Sequence, residues 1–208
     1  MKNVRVFYRK KGRLKYISHL DMNRVFSRIA RRSGIPLWYT EGFNPHPKLN
    51  FALPLSLGFE SDYEAVDIRV EDDFFTPEQA FEMLAPVMPE GLELVSVKEP
   101  VMKVGDIAYA RFNVCMNVPD GVDAFFNCET IEIEKLTKKK QIKKVDIKPM
   151  IREWSVTDEG LSLLLSAGVD NLNPTAVIKA MEDFFGCDII VTNVVRGMLY
   201  NKDMEKFQ

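Results

Sequence analysis

The chain is predicted to adopt an α+β fold made of two tandem βαββαβ units with antiparallel sheets, one over residues 1–100 and one over 106–200, followed by a polar tail at 201–208. Three observations predict it. Short runs such as Val4-Val6-Tyr8 and Phe112-Val114-Met116 alternate apolar residues with polar ones, the pattern of strands with one solvated face. Between them lie stretches whose apolar residues recur at helical spacing, opened by a capping residue or Pro and closed by Gly. The same order of elements recurs in both halves, although no amino-acid repeat accompanies it. With 208 residues, 46% of them hydrophobic, the chain can fill two cores of the size that domains of about 100 residues require.

In the first half, Val4, Val6 and Tyr8 mark a strand, Lys10-Lys11-Gly12 a turn or bulge, and Leu14 and Tyr16 a resumption of the strand. Ser18 reads as an N-cap with Asp21 in capping-box position, and a helix is expected from about His19 to Ser33, closed by Gly34 before Pro36. Pro36 to Tyr39 is expected to form a short strand. It enters a loop, Glu41-Gly42-Phe43-Asn44-Pro45-His46-Pro47-Lys48, that is too constrained by proline to lie inside a sheet. Leu49 to Leu57 reads as extended chain broken by Pro54, and Tyr63 to Val70 as the next strand. Thr76-Pro77 opens a helix that runs to about Ala85, and Leu92 to Val97 closes the unit. This order is that of a split βαβ of ferredoxin-like type.

The second half is read the same way. Ala108 to Val118 is a strand and Gly121 to Cys128 a short helix, while Thr130 to Leu136 and Val145 to Ile151 flank a basic hairpin tip at residues 138–144. Leu161 to Leu165 extends that sheet, Asn173-Pro174 opens a helix ended by Gly186, and Ile189 to Val195 closes the unit. The residues from Arg196 to Gln208 are expected to fray. The junction is expected between Gly91 and Gly105.

Composition narrows the chemistry. No segment has the ~18 consecutive apolar residues of a membrane span, and the start carries no signal-peptide pattern, so a cytoplasmic location without membrane association is expected. Cys115, Cys128 and Cys187 are widely separated, form no Cys-x-x-Cys pair, and are expected to be small buried hydrophobes; no metal is assigned. The formal charge of −2 conceals a sharp segregation. Residues 1–50 carry twelve Lys or Arg against Asp21 and Glu41, a net +10, whereas residues 51–100 carry two against twelve acidic residues, a net −10. A strongly positive face on an acidic protein is what a polyanion would sense.

Arg24, Arg28, Arg31 and Arg32 recur at helical spacing beside the apolar face of the first helix, with no acidic residue between them in sequence. With Arg5, Arg9, Arg13 and Lys15 before them and Lys48 after, they form the expected nucleic-acid surface, and Phe7, Tyr8 and Tyr16 are the aromatics available to stack unpaired bases. A solvated helix face, or salt bridges to the acidic second quarter, would account for the same cations. His19 and His46 are the only histidines, and with Tyr16 they are the candidates for general acid–base chemistry on RNA. A fixed hydrogen-bonding role and, less simply, metal ligation with Asp21 or Glu41 are the other readings.

Tyr16-Ile17-Ser18-His19-Leu20-Asp21, the loop from Tyr39 to Lys48, Pro54-Leu55-Ser56-Leu57-Gly58, Ser61-Asp62-Tyr63-Glu64 and Val145-Asp146-Ile147-Lys148-Pro149 together resemble the signature blocks of the radical-SAM-associated bacterial proteins of unknown function. The motif residues are Ser18, His19, Asp21, Gly42, Phe43, Asn44, Pro45 and His46. The chain itself has no Cys-x-x-x-Cys-x-x-Cys. The resemblance therefore implies a partner enzyme that holds the iron–sulfur cluster and S-adenosylmethionine, with no cofactor bound by this chain. The expected function is an RNA-binding accessory module for a radical SAM enzyme in tRNA or rRNA modification or maturation. Two alternatives stand beside it. One is an endoribonuclease or RNA-modifying enzyme using His19 or His46, by fold-level analogy with the RAMP endoribonucleases that process CRISPR transcripts. The other is a protein-interaction subunit of the radical SAM enzyme.

Overall fold

The computed structural model describes residues 1–136 and 142–208. The chain is α+β, and its frame is a single large sheet. Strands β1 (Lys2–Lys10), β2 (Leu49–Phe51), β3 (Glu60–Val70) and β4 (Leu92–Lys98) come from the first half, with helices α1 (His19–Ser33) and α2 (Pro77–Leu84) between them. The second half supplies β5 (Ile107–Met116), α3 (Val122–Phe126), β6 (Glu132–Leu136), β7 (Ile142–Asp146), β8 (Ile151–Thr157), β9 (Gly160–Ser166), α4 (Pro174–Phe185) and β10 (Val191–Asn201).

The main sheet runs β4-β1-β3-β10-β5-β9-β8, with β2 also paired to β3. Every pairing is antiparallel except β3 with β10, where Val195 and Arg196 lie opposite Glu60 and Ser61 in parallel. The expectation of two separate antiparallel sheets is thus corrected to one mixed sheet. Its cause is the length of β3. Eleven residues hold β1 along one edge and, along the other, leave room for β2 at Val66 to Ile68 and for β10 at Glu60 and Ser61. Joining the halves there covers backbone donors and acceptors that two separate sheets would leave at open edges.

Two apolar clusters flank the sheet. In one, α1 and α2 cover a face of β1, β3 and β4 through Val4, Val6, Phe26, Ile29, Ile68 and Leu84. The other does not respect the expected junction, because Phe7, Ala52, Phe59 and Ala65 pack with Ala110, Leu163, Val177 and Phe207 from the second half.

Several sequence-based expectations need correction. Residues 36–39 make only isolated bridges, Leu37 with Val70 and Tyr39 with Pro47, and Leu14 and Tyr16 belong to a 3₁₀ turn over Gly12–Tyr16. Strands β6 and β7 pair with each other alone, and β9 pairs with β5 and β8 in the main sheet. The run from Val145 to Ile151 is not one strand. The Asp146 carboxylate accepts from the amides of Ile131 and Lys148, and a 3₁₀ turn at Lys148–Met150, carrying Pro149, ends β7 before β8 begins. Of the basic tip, residues 137–141 lie outside the described residues, and Lys143 and Lys144 belong to β7.

The residues after Val195 do not fray. Strand β10 continues to Asn201, Phe207 is fully buried, and the Gln208 carbonyl accepts from the amides of Val101 and Met102 at 3.2 and 2.9 Å. Among the described residues no helix is long and apolar enough to cross a membrane. Cys115 and Cys128 are half-buried, but Cys187 is exposed, against the expectation that all three are interior.

Candidate nucleic-acid interface

Helix α1 carries the site, and its sequence fixes its position. Ser18 caps it by accepting from the Asp21 amide at 3.1 Å, and Gly34 ends it in the left-handed region at φ +76°. Met22, Phe26, Ile29 and Ala30 are buried against the sheet, so Arg24, Arg28 and Arg31, at spacings of four and three, emerge along an exposed edge. Asp21 sits at the positive end of the helix; hydrogen bonds from Ser18 and Arg24 hold its carboxyl below the usual carboxylate range.

Opposite that edge stands the loop from Tyr39 to Lys48. Its ends are tied by the Thr40 amide donating to the His46 carbonyl at 2.9 Å and the Lys48 amide donating to the Trp38 carbonyl at 3.3 Å. The His46 amide donates to Thr40 Oγ1 at 3.2 Å, and His46 Nδ1 lies 3.1 Å from the Asn44 carbonyl. The same Nδ1 lies 3.1 Å from Thr40 Oγ1, so the loop's own groups hold the ring. Gly42 turns the loop at φ +117°, and the neighbouring Phe43 is fully exposed.

Between helix edge and loop runs a groove of about 530 Å³, lined by Arg24, Arg28, Arg31, His46, Lys48 and smaller side chains. Arg24 pairs with Asp21 at 2.8 Å. Among the described residues, Arg28, Arg31 and Lys48 have no carboxylate within 4 Å. Like charges gathered without counter-charge are held only at an electrostatic cost, which a bound polyanion would offset.

The remaining predicted cations do not join this groove, and the sheet order explains most of them. Strand β1 lies between β3 and β4, the two strands of the acidic quarter. Lys2 therefore pairs with Glu99 at 2.9 Å, Arg9 with Glu93 at 3.2 Å and Lys11 with Asp62 at 2.7 Å. Arg5 is 1% exposed, bound to Asp67 through both carboxylate oxygens at 2.6 and 2.9 Å, and over the Phe207 ring at 4.3 Å. It is a core residue. Lys15 donates to Asn193 at 3.3 Å and lies over the Tyr16 ring; Arg13 and Arg32 are exposed outside the groove. Of the expected stacking aromatics, Phe7 and Tyr8 are buried and only Tyr16 is exposed.

His19 and His46 are not brought together in one pocket. His46 lines the groove, while His19 lines a small pocket under the start of α1, where Asn23 Nδ2 donates to its Nε2 at 3.1 Å and Phe51 meets its ring edge-on. Tyr16 lines neither pocket. The small pocket also contains Lys10 and Glu64, which sequence reading did not assign to any site, and Tyr8, which it expected on the stacking surface. A signal was present. Lys10 continues the phase of Val4, Val6 and Tyr8 along β1, which turns a lysine toward the core.

The model of the family described as "Uncharacterized protein conserved in bacteria (DUF2344)" matches residues 3–177. No curated protein matches the chain.

Proposed function

We propose that this chain, which belongs to that conserved bacterial family, is an RNA-binding accessory module whose phosphate contacts are made by Arg28, Arg31 and Lys48, with Arg24 at the rim. The supporting observation is the convergence of these cations, from two separate elements, on one groove where three of them have no carboxylate partner among the described residues. Lysine and arginine hold phosphates without reading sequence, so the groove alone provides affinity rather than selectivity. We assign Phe43, fully exposed in the same loop as Lys48, to stacking an unpaired base. The two halves share the strand order of ferredoxin-like units, β4-β1-β3-β2 and β10-β5-β9-β8, and we read them as such units fused edge to edge.

The motif resemblance supports a radical SAM enzyme as the partner that acts on the bound RNA. An endoribonuclease reading needs the two imidazoles, or one of them with Tyr16, in a common cleft, and the three residues line no common pocket. The test is recovery of the protein from cells before and after nuclease. RNA that co-purifies with the wild-type chain and is lost from Arg28→Gln/Arg31→Gln/Lys48→Gln supports the proposal. A radical SAM protein retained after nuclease with no RNA recovered beforehand would instead make the chain a protein-interaction subunit.

A further inference from the structure

The small pocket under α1 contains two polar side chains that the fold leaves without partners. Tyr8 and Lys10 are 1% and 3% exposed, and neither Tyr8 Oη nor Lys10 Nζ has a hydrogen-bond or ion-pair partner among the described residues. Among the described residues, no side-chain nitrogen or oxygen that is sealed from solvent lacks a partner. The sliver of surface that each residue retains therefore includes its polar atom, and both residues line this one pocket. Glu64, on the same wall, is already committed, because Arg196 holds both of its oxygens at 2.6 and 2.7 Å. Lys10, Arg196 and Glu64 thus leave one positive charge without a counter-charge in a buried place. Burial draws the Lys10 ammonium below the usual lysine value and Arg196 adds to that shift, outweighing the opposing Glu64 carboxylate.

The start of α1 adds donors of the same sense. Ser18 satisfies the amides of Asp21 and Met22, and among the described residues the amide of His19, which lines the pocket, has no partner at the positive end of a 15-residue helix. Asp21 is turned to Ser18 and Arg24 and does not line the pocket. The space a water-sized sphere can enter is about 20 Å³, little more than one water needs. That room admits only a small group, such as the end of a carboxylate, and is too small for a nucleobase.

From the unpartnered Tyr8 hydroxyl and Lys10 ammonium beneath the N-terminus of α1, we infer that this pocket binds the carboxylate group of a small ligand, at a site separate from the cationic groove. Lys10 supplies the charge and Tyr8 a neutral donor.

Amide spectra of the full chain, recorded at constant ionic strength during titration with sodium formate, acetate or inorganic phosphate, test this. Formate and acetate are expected to give saturable shifts at the Ser18 and His19 amides, whose residues line the pocket. Lys10→Met and Tyr8→Phe, each with a dispersed native spectrum, are expected to weaken acetate about tenfold or more, the loss that accompanies removal of one buried donor to a charged group. Arg28→Gln/Arg31→Gln leaves acetate binding unchanged, so failure of the groove and failure of this site are told apart. The inference is overturned by absence of saturable shifts with either carboxylate, by equal shifts in Lys10→Met and Tyr8→Phe, or by phosphate binding these amides more tightly than acetate.

Discussion

Arg196 and Glu64, 132 residues apart in sequence, form a buried ion pair at the single parallel contact of the sheet, where Arg196 Nη2 reaches both carboxylate oxygens and the Leu53 carbonyl. The pair is 2% and 6% exposed in its two side chains, so neither charge has water to fall back on. It joins the halves and also fixes the wall of the Lys10 pocket.

Truncating one partner strands the other. Glu64→Ala is expected to destabilise the chain by about 3–5 kcal/mol, the cost typical of leaving a buried charge unpaired. The loss should appear as a lower urea midpoint for a single transition that includes signals from both halves. A loss below about 1 kcal/mol would mean that the contact between β3 and β10 does not depend on this pair.

The end of the chain is expected to be as sensitive as the core. Phe207 is fully buried beneath the Arg5 guanidinium, and the Gln208 carbonyl accepts from Arg5 at 3.0 Å. Phe207→Ala should cost about 3–5 kcal/mol, as for other buried aromatics, and lower the thermal midpoint accordingly. Tyr63 donates to the Phe207 carbonyl at 2.6 Å, and burial pushes its hydroxyl up to about 12. Its phenolate should therefore form near pH 12 rather than 10 in an ultraviolet titration of the folded chain.

Lys10 should make stability depend on pH in a defined direction. Burial lowers its value in the folded chain from the usual 10.5, so the unfolded chain binds more proton between the two values. Stability then rises with pH across that window, and below it the ammonium is a standing cost. Lys10→Met is expected to raise the urea midpoint at neutral pH and to remove the rise toward alkaline pH. A lower midpoint in Lys10→Met with the pH dependence retained would place the cost elsewhere.

Local signals carried much of this molecule. The caps Ser18, Thr76 and Asn173 and the terminator Gly34 mark the ends of α1, α2 and α4 because a capping hydroxyl or amide and a left-handed glycine act within a few residues. The groove was legible in part, since the spacing of Arg24, Arg28 and Arg31 already places them along one helix edge. What the spacing could not reveal was which cations are neutralised. The carboxylates that pair with Lys2, Arg5, Arg9 and Lys11 come from β3, β4 and the residue after β4, 51 to 97 positions away. Net charge by sequence quarter contains no information on strand neighbours. The buried ends of β10 and Phe207 were missed for a related reason: a polar composition after Val195 hides two apolar residues, Leu199 and Phe207, whose burial depends on partners from the first half and from β5.

The central claim is that RNA affinity arises from counterion release at Arg28, Arg31 and Lys48. It is tested most directly by the slope of log affinity for single-stranded RNA against log salt concentration. Each phosphate contact should contribute about −0.7, so Arg28→Gln/Arg31→Gln/Lys48→Gln is expected to flatten the slope by about 2, whereas Arg9→Gln, whose cation is paired with Glu93, leaves it unchanged. Binding that does not vary with salt, or an equal slope in the triple variant and the wild-type chain, would contradict the account.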